Sequence, residues 1–159
     1  MKGEVEVIEV LNDVLTAELT AINQYFIHAM MCRNWRYLRL AKHSREESVE
    51  EMKHAQELIE RILYLEGVPN MQRYMKINVG QNVPEQHQFD LALERDAVAR
   101  LNQGIELCRT QGDNGSRLLL EKILDDEEEH IDWLEAQIHQ IKEMGYERYL
   151  TLQTKGEHE

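Results

Sequence analysis

The chain has 159 residues and a mass of 18.8 kDa, enough for one domain that hides roughly 68–70% of its unfolded surface. It is 42% hydrophobic and 30% charged with only 2 Pro, which excludes collagen, low-complexity disorder and a disulfide-rich mini-protein. With 18 Lys and Arg against 30 Asp and Glu the net charge is −12, so phosphate backbones are repelled and cations are the expected partners.

Apolar spacing predicts a helix over 4–35, its seam formed by Leu11, Leu15, Ile22, Tyr25 and Ala29. Glu18 falls within that seam. A second helix is predicted over 44–65, with Leu58, Ile62 and Leu65 preceded on the seam by Glu51 and His54. Pro69 and Pro84 bracket a stretch that also carries Gly67, Asn70, Asn78, Gly80 and Asn82, and this reads as a connection. A third helix is predicted over 84–110, through Leu91, Val98, Leu101, Ile105 and Cys108, with Glu94 on its seam. A fourth is predicted over 115–144, through Leu120, Leu124, Ile131, Leu134, Ile138 and Ile141, with Glu127 and His130 on its seam. A short tail helix follows Gly145, over 146–152. The expected fold is an all-α four-helix bundle with one long crossover and a short C-terminal helix, a single domain over 1–159.

Each long helix thus carries a carboxylate on the face that should be dry. Glu-x-x-His occurs twice, at Glu51–His54 and Glu127–His130, and about one such pair is expected by chance. The relation between the pairs is the stronger signal. Glu18 to Glu51 and Glu94 to Glu127 are both 33 residues. Glu18 to Glu94, Glu51 to Glu127 and His54 to His130 are each 76 residues. A helix that leaves Glu94, turns near Thr110–Gly115 and returns reaches its starting height near Glu127. The same folding-back from Glu18 turns near Asn34–Trp35. Two antiparallel hairpins then present their carboxylates at one level, and a connection far longer than a usual helix–helix turn sets the second and third helices parallel.

Four ionised carboxylates in an apolar bundle cost several kcal/mol each if uncompensated. Two divalent cations cancel that charge. Each would take one His, one terminal Glu and a share of two bridging Glu, since three-residue spacing sets the Glu and His of each pair on one face. Carboxylate and imidazole ligands without sulfur suit iron, manganese or zinc. Cys32 and Cys108 are far apart and form no CxxC pair, which excludes a thiolate zinc site and a rubredoxin-like iron site.

At these residues the chain resembles the bacterioferritin family, and over nearly its whole length. The resemblance is carried by Met1–Gly3, Ala21–Phe26, Glu50–Ala55, Ile59–Leu63, Glu66–Asn70 and Asp126–Glu135. It implies iron storage in a hollow 24-subunit shell, with a ferroxidase centre in each subunit. It implies that Glu18 and His54 bind one iron, Glu94 and His130 the other, and that Glu51 and Glu127 bridge. Two Fe(II) would reduce O2 or hydrogen peroxide, and the Fe(III) would be deposited as mineral. By the same resemblance Met52 ligates haem b, one from each subunit across a two-fold axis, and helps release iron. A bacterioferritin-associated ferredoxin would donate electrons near Val68, Pro69 and Asn70, and a second subunit type is a possible shell partner. From spacing alone Met52 reads as an apolar interface contact. Tyr25 lies on the Glu18 seam, as a buried aromatic whose hydroxyl meets a ligand carboxylate or as a redox-active tyrosine; Trp133 reads as an interface residue or an electron source.

The family's inner-surface histidine on the second helix is not matched; Glu46, Glu47, Ser48, Val49 and Glu50 stand there, and Arg45 adds positive charge. The run Asp125–Glu129 reads as a solvated face with only Glu127 turned inward. His28, His43, His87, His139 and His158 have no assigned partner. Other readings are a storage subunit whose di-iron site is an iron pore, a peroxide-consuming di-metal enzyme of the rubrerythrin or catalase kind, and a purely structural bundle. The missing rubredoxin cysteines argue against the rubrerythrin reading, and the four buried carboxylates against the last. No apolar run approaches the ~18 residues of a membrane span, and Met1–Glu6 lacks a signal-peptide pattern, so a cytoplasmic protein is expected.

Overall fold

Capping chemistry sets the helix starts. Asn82 accepts a hydrogen bond from the Glu85 N–H at 2.9 Å and Pro84 occupies the first turn, so the third long helix starts there. Asp113 accepts from the Ser116 N–H at 2.9 Å and opens the fourth. The computed structural model describes residues 1–155, in the order α1 Val5–Asn34, α2 Leu38–Tyr64, α3 Val83–Thr110, α4 Asn114–Met144 and α5 Tyr146–Gln153. His158 and the end of the predicted 1–159 unit lie outside the described residues.

Two expectations need correction. Helix α2 starts at Leu38 rather than at residue 44. Arg36 adopts φ 66° and the Tyr37 N–H bonds the Cys32 carbonyl at 2.9 Å, so the chain reverses within three residues. The new helix can then bury Leu40 and Ala41 beside Cys32, Val83 and Tyr149. On α4 the fully buried row is Leu120, Ile123, Glu127, His130, Leu134 and Gln137. Leu124, Ile131, Ile138 and Ile141 flank that row and stay half-buried. A stripe of half-buried apolar residues beside a partly polar row misled the register.

Helices α1 and α2 form one antiparallel hairpin and α3 and α4 the other, and the main apolar core joins them through Leu11, Leu15, Leu58, Ile62, Leu101, Leu120 and Ile123. Gly104 lets α3 approach α1, since a Cβ there would lie 2.8 Å from Val10.

The crossover is tied to α1 by a polar rail of every fourth residue. Asn12 Oδ1 accepts from the Asn70 N–H, Thr16 Oγ1 from Arg73 Nε, Thr20 Oγ1 from the Met75 N–H, Gln24 Oε1 from the Asn78 N–H and His28 Nε2 from the Gly80 N–H, at 2.7–3.2 Å. Because His28 accepts at Nε2, its Nδ1 carries the proton and donates to Asp90 Oδ1 at 2.9 Å. Gln24 Nε2 donates to the same oxygen at 2.8 Å. The loop therefore climbs α1 from its first turns to its last, which delivers α3 parallel to α2. Backbone groups that would be unpaired in so long a loop are satisfied by one helix face.

Candidate metal centre

Each long helix contributes to one buried cluster midway along the bundle. Glu18 comes from α1, Glu51 and His54 from α2, Glu94 from α3, and Glu127 and His130 from α4. None is more than 5% exposed. The structure brings together all six positions expected from the sequence.

The geometry has a two-fold character. His54 Nδ1 lies 3.5 Å from Glu18, 3.7 Å from Glu51 and 3.1 Å from Glu127. His130 Nδ1 lies 3.4 Å from Glu94, 3.8 Å from Glu127 and 3.2 Å from Glu51. Two groups result, Glu18–Glu51–His54–Glu127 and Glu51–Glu94–Glu127–His130, each with ligand atoms within 4.8 Å of one another. Glu51 and Glu127 belong to both.

Burial dominates the electrostatics. It pushes Glu18 up to about 7, with Glu127 adding repulsion, and Glu51 up to about 8, with Glu18 and Glu94 adding to it. Glu94 and Glu127 are raised for the same reason, by burial first and then by Glu127 and Glu51 respectively. Burial disfavours charge on the two histidines, but contacts to Glu127, Glu18 and Glu51 outweigh it at His54, and contacts to Glu47, Glu51 and Glu94 outweigh it at His130, so both are raised. Burial and neighbouring charge thus favour protons on this cluster.

They do not satisfy it. Among the described residues seven buried side-chain nitrogen or oxygen atoms lack a hydrogen-bond partner, and six of them belong to Glu18, Glu47, Glu51, His54, Glu94 and Glu127. Orphaned carboxylate oxygens at this density are what a pair of hard cations would satisfy, and the donor set of four carboxylates and two imidazoles fits iron, manganese or zinc.

Three acidic residues outside the expected six complete the site. Asp126 Oδ2 lies 2.8 Å from His54 Nε2, while Glu47 Oε2 and Glu50 Oε2 lie 2.5 and 3.1 Å from His130 Nε2. Each histidine therefore presents Nδ1 to the cluster and turns Nε2 to a carboxylate, which fixes ring orientation and raises ligand basicity. The reading of Asp125–Glu129 with only Glu127 turned inward is corrected here, because Asp126 is half-buried against His54. The 76-residue relation pairs Glu50 with Asp126 and was the signal that could have found them.

Tyr25 is 2% exposed and donates from its hydroxyl to Glu94 Oε1 at 2.6 Å. The expected contact with a ligand carboxylate is present, on the opposite hairpin from Glu18. Met52 is 55% exposed on α2, Val49 on the same helix and Phe26 on α1 are also exposed, and the Arg45 guanidinium sits 5.9 Å from the centre of the Phe26 ring. Trp133 stacks on His43 at 3.5 Å, and His87 meets its edge. Val68, Pro69 and Asn70 line an open pocket of about 740 Å³ with Asn12, Asp13 and Arg73. No described helix is long and apolar enough to cross a membrane.

The chain matches the ferritin family, a ferritin-like domain, over residues 8–144. It is 50% identical over 149 residues to Bacterioferritin BfrA of Mycobacterium tuberculosis (strain ATCC 25618 / H37Rv), covering 94% of each chain. It is 50% identical over 151 residues to a bacterioferritin of Streptomyces coelicolor, covering 95% of this chain and 90% of the relative. A bacterioferritin of Brucella melitensis biotype 1 is 49% identical over 149 residues, covering 94% of this chain and 92% of the relative.

Proposed function

The chain belongs to the ferritin family, among its bacterioferritins, and on that premise we propose that it stores iron by oxidising Fe(II) at the six-residue centre. One observation carries the reading: two four-residue groups share Glu51 and Glu127, and one buried oxygen of each of Glu18, Glu51, Glu94 and Glu127 has no hydrogen-bond partner. Glu18 and His54 hold one Fe(II), Glu94 and His130 the other, and Glu51 and Glu127 lie between them. Two Fe(II) held together supply two electrons at once to O2 or hydrogen peroxide.

The chain's own residues do the rest. Raised carboxylates and histidines give up protons as cations enter, so binding and deprotonation are coupled. Asp126 and Glu50 hold the Nε2 protons of His54 and His130 and keep Nδ1 turned to the cluster. The apolar core below, with Leu58, Leu101 and Ile123, keeps bulk water from that side. Tyr25 holds Glu94 in place through its hydroxyl.

The finer assignments follow from the family. Met52 offers a thioether, Phe26 and Val49 an apolar bed and Arg45 a cation for a carboxylate, a set that fits haem b shared between two copies of this chain. We place the chain in a 24-subunit cytoplasmic shell, alone or with a second subunit type, and assign the Val68–Asn70 pocket to an electron-donating ferredoxin.

The test is an Fe(II) titration of metal-free protein with oxidant, followed by stopped-flow absorbance. A fast phase that saturates at about two irons per chain is expected, with a slow phase continuing far beyond it. Absence of a fast phase overturns the oxidation centre, and absence of the slow phase overturns storage.

A further inference from the structure

The 76-residue relation extends beyond the six positions, and among the residues bonded to them it breaks at two. Glu50 and Asp126 obey it and act crosswise, Asp126 on His54 and Glu50 on His130. Glu47 corresponds instead to Ile123, and Tyr25 to Leu101. Ile123 and Leu101 are 0% and 1% exposed, within the apolar core. Both polar members of the broken pairs serve the same half. Tyr25 donates to Glu94 Oε1, and Glu47 Oε2 lies 2.5 Å from His130 Nε2.

Charge separates the two halves. The six ligands are matched in pairs, and so are Glu50 and Asp126, at 38% and 29% side-chain exposure. These contributions cancel in a comparison. Glu47 has no acidic counterpart. Its side chain is only 11% exposed, so water screens it poorly, and its other oxygen faces His43 Nε2 at 3.5 Å. A whole negative charge therefore stands behind the His130 ring and not behind the His54 ring.

Tyr25 adds geometry. It grips Glu94 by Oε1 and fixes how that carboxylate is turned, while Oε2 of Glu94, like Oε2 of Glu18, is buried without a hydrogen-bond partner. Glu18 has a leucine at the place equivalent to the phenol. A hydrogen bond to Glu94 draws some charge from it, which is a smaller effect than the full charge on Glu47.

We infer that the two metal positions are unequal, and that Glu47 and Tyr25, as positioning residues, make the Glu94–His130 position the one that takes the first divalent cation. The inference rests on the proposed reading of the six residues as a paired metal centre.

Zinc separates the inference from that reading, because it binds without turnover. Crystals of metal-free protein are given a single equivalent of Zn(II) per chain, and anomalous scattering at the zinc edge reports occupancy at each position. The Glu94–His130 position should hold about tenfold more zinc, the order expected from one poorly screened charge. Glu47→Ile combined with Tyr25→Leu, which copies the other half, should bring the two occupancies together. Glu47→Gln keeps the volume, removes the charge alone and should narrow the ratio. Equal occupancy in the unaltered protein, first filling of the Glu18–His54 position, or a preference untouched by either Glu47 substitution overturns the inference. Zinc at neither position overturns the paired-centre reading beneath it.

Discussion

His54 stands closer to Glu127, on the opposite hairpin, than to Glu51, one turn away on its own helix: 3.1 against 3.7 Å. His130 repeats the relation with Glu51 and Glu127, at 3.2 against 3.8 Å. Side chains three residues apart share a helix face, yet here the nearer carboxylate comes from the other hairpin. A Glu-x-x-His pair therefore cannot close a metal site by itself. It needs the second hairpin, and a cation bound here would tie α2 to α4.

That tie is measurable as stability. Any cation that binds only the folded state adds about 2.7 kcal/mol at a hundred times its dissociation constant. Zn(II) at such an excess should raise the denaturation midpoint of metal-free protein accordingly. Glu51→Gln with Glu127→Gln should remove most of that gain and the fast phase of Fe(II) oxidation, while circular dichroism stays helical. A variant that keeps both would show that these carboxylates do not bridge.

Asp126 faces His54 Nε2 at 2.8 Å, and its expected effect on metal runs through that ring. Asp126→Asn should weaken Zn(II) binding about 10–100-fold, the usual cost of losing a carboxylate behind a ligand histidine. Calorimetric titration gives the number directly. An unchanged isotherm would mean that the 2.8 Å contact has no bearing on metal affinity.

His87 makes stability sensitive to mild acid. Its Nε2 meets the Tyr149 hydroxyl at 3.0 Å, and that hydroxyl donates to Gln137 at 2.7 Å, so Nε2 carries the proton of a neutral ring. Burial lowers its titration from the ordinary 6.5 to about 4. The unfolded chain therefore binds the extra proton first as pH falls. The contribution is complete above pH ~6.5 and is lost progressively down to pH ~4, about 3 kcal/mol in all. His87→Gln, which keeps a donor for Tyr149, should flatten this part of the pH–stability curve. Equal slopes for the two proteins between pH 6.5 and 4 would contradict the assignment.

A haem titration tests Met52 apart from the cluster. Met52→Leu should abolish a methionine-ligated haem spectrum and leave the fast Fe(II) oxidation phase within about twofold, since the thioether points away from the six ligands. Identical haem content in the variant would remove Met52 from the haem site.

The clustering of the six residues was legible because the 33- and 76-residue intervals are covalent facts, and helix rise converts intervals into heights. The start of α2 was not legible, because Trp35, Arg36 and Tyr37 carry no glycine or proline, and the turn depends on Arg36 accepting φ 66°. The buried row of α4 was displaced for a related reason. Gln137 is buried through Tyr149 of α5, a long-range partner that no local pattern announces.

The sequence by itself determined the all-helical bundle, the two hairpins and the level at which four carboxylates and two histidines meet, because periodicity and spacing are local and additive. Only the tertiary structure decided which carboxylate faces which histidine, that Glu47, Glu50 and Asp126 stand behind the rings, and that Tyr25 grips Glu94 rather than Glu18. Those relations depend on the angle at which one hairpin packs against the other. That angle is set by the whole core, through contacts such as Gly104 against Val10 and the polar rail that fastens the crossover to α1.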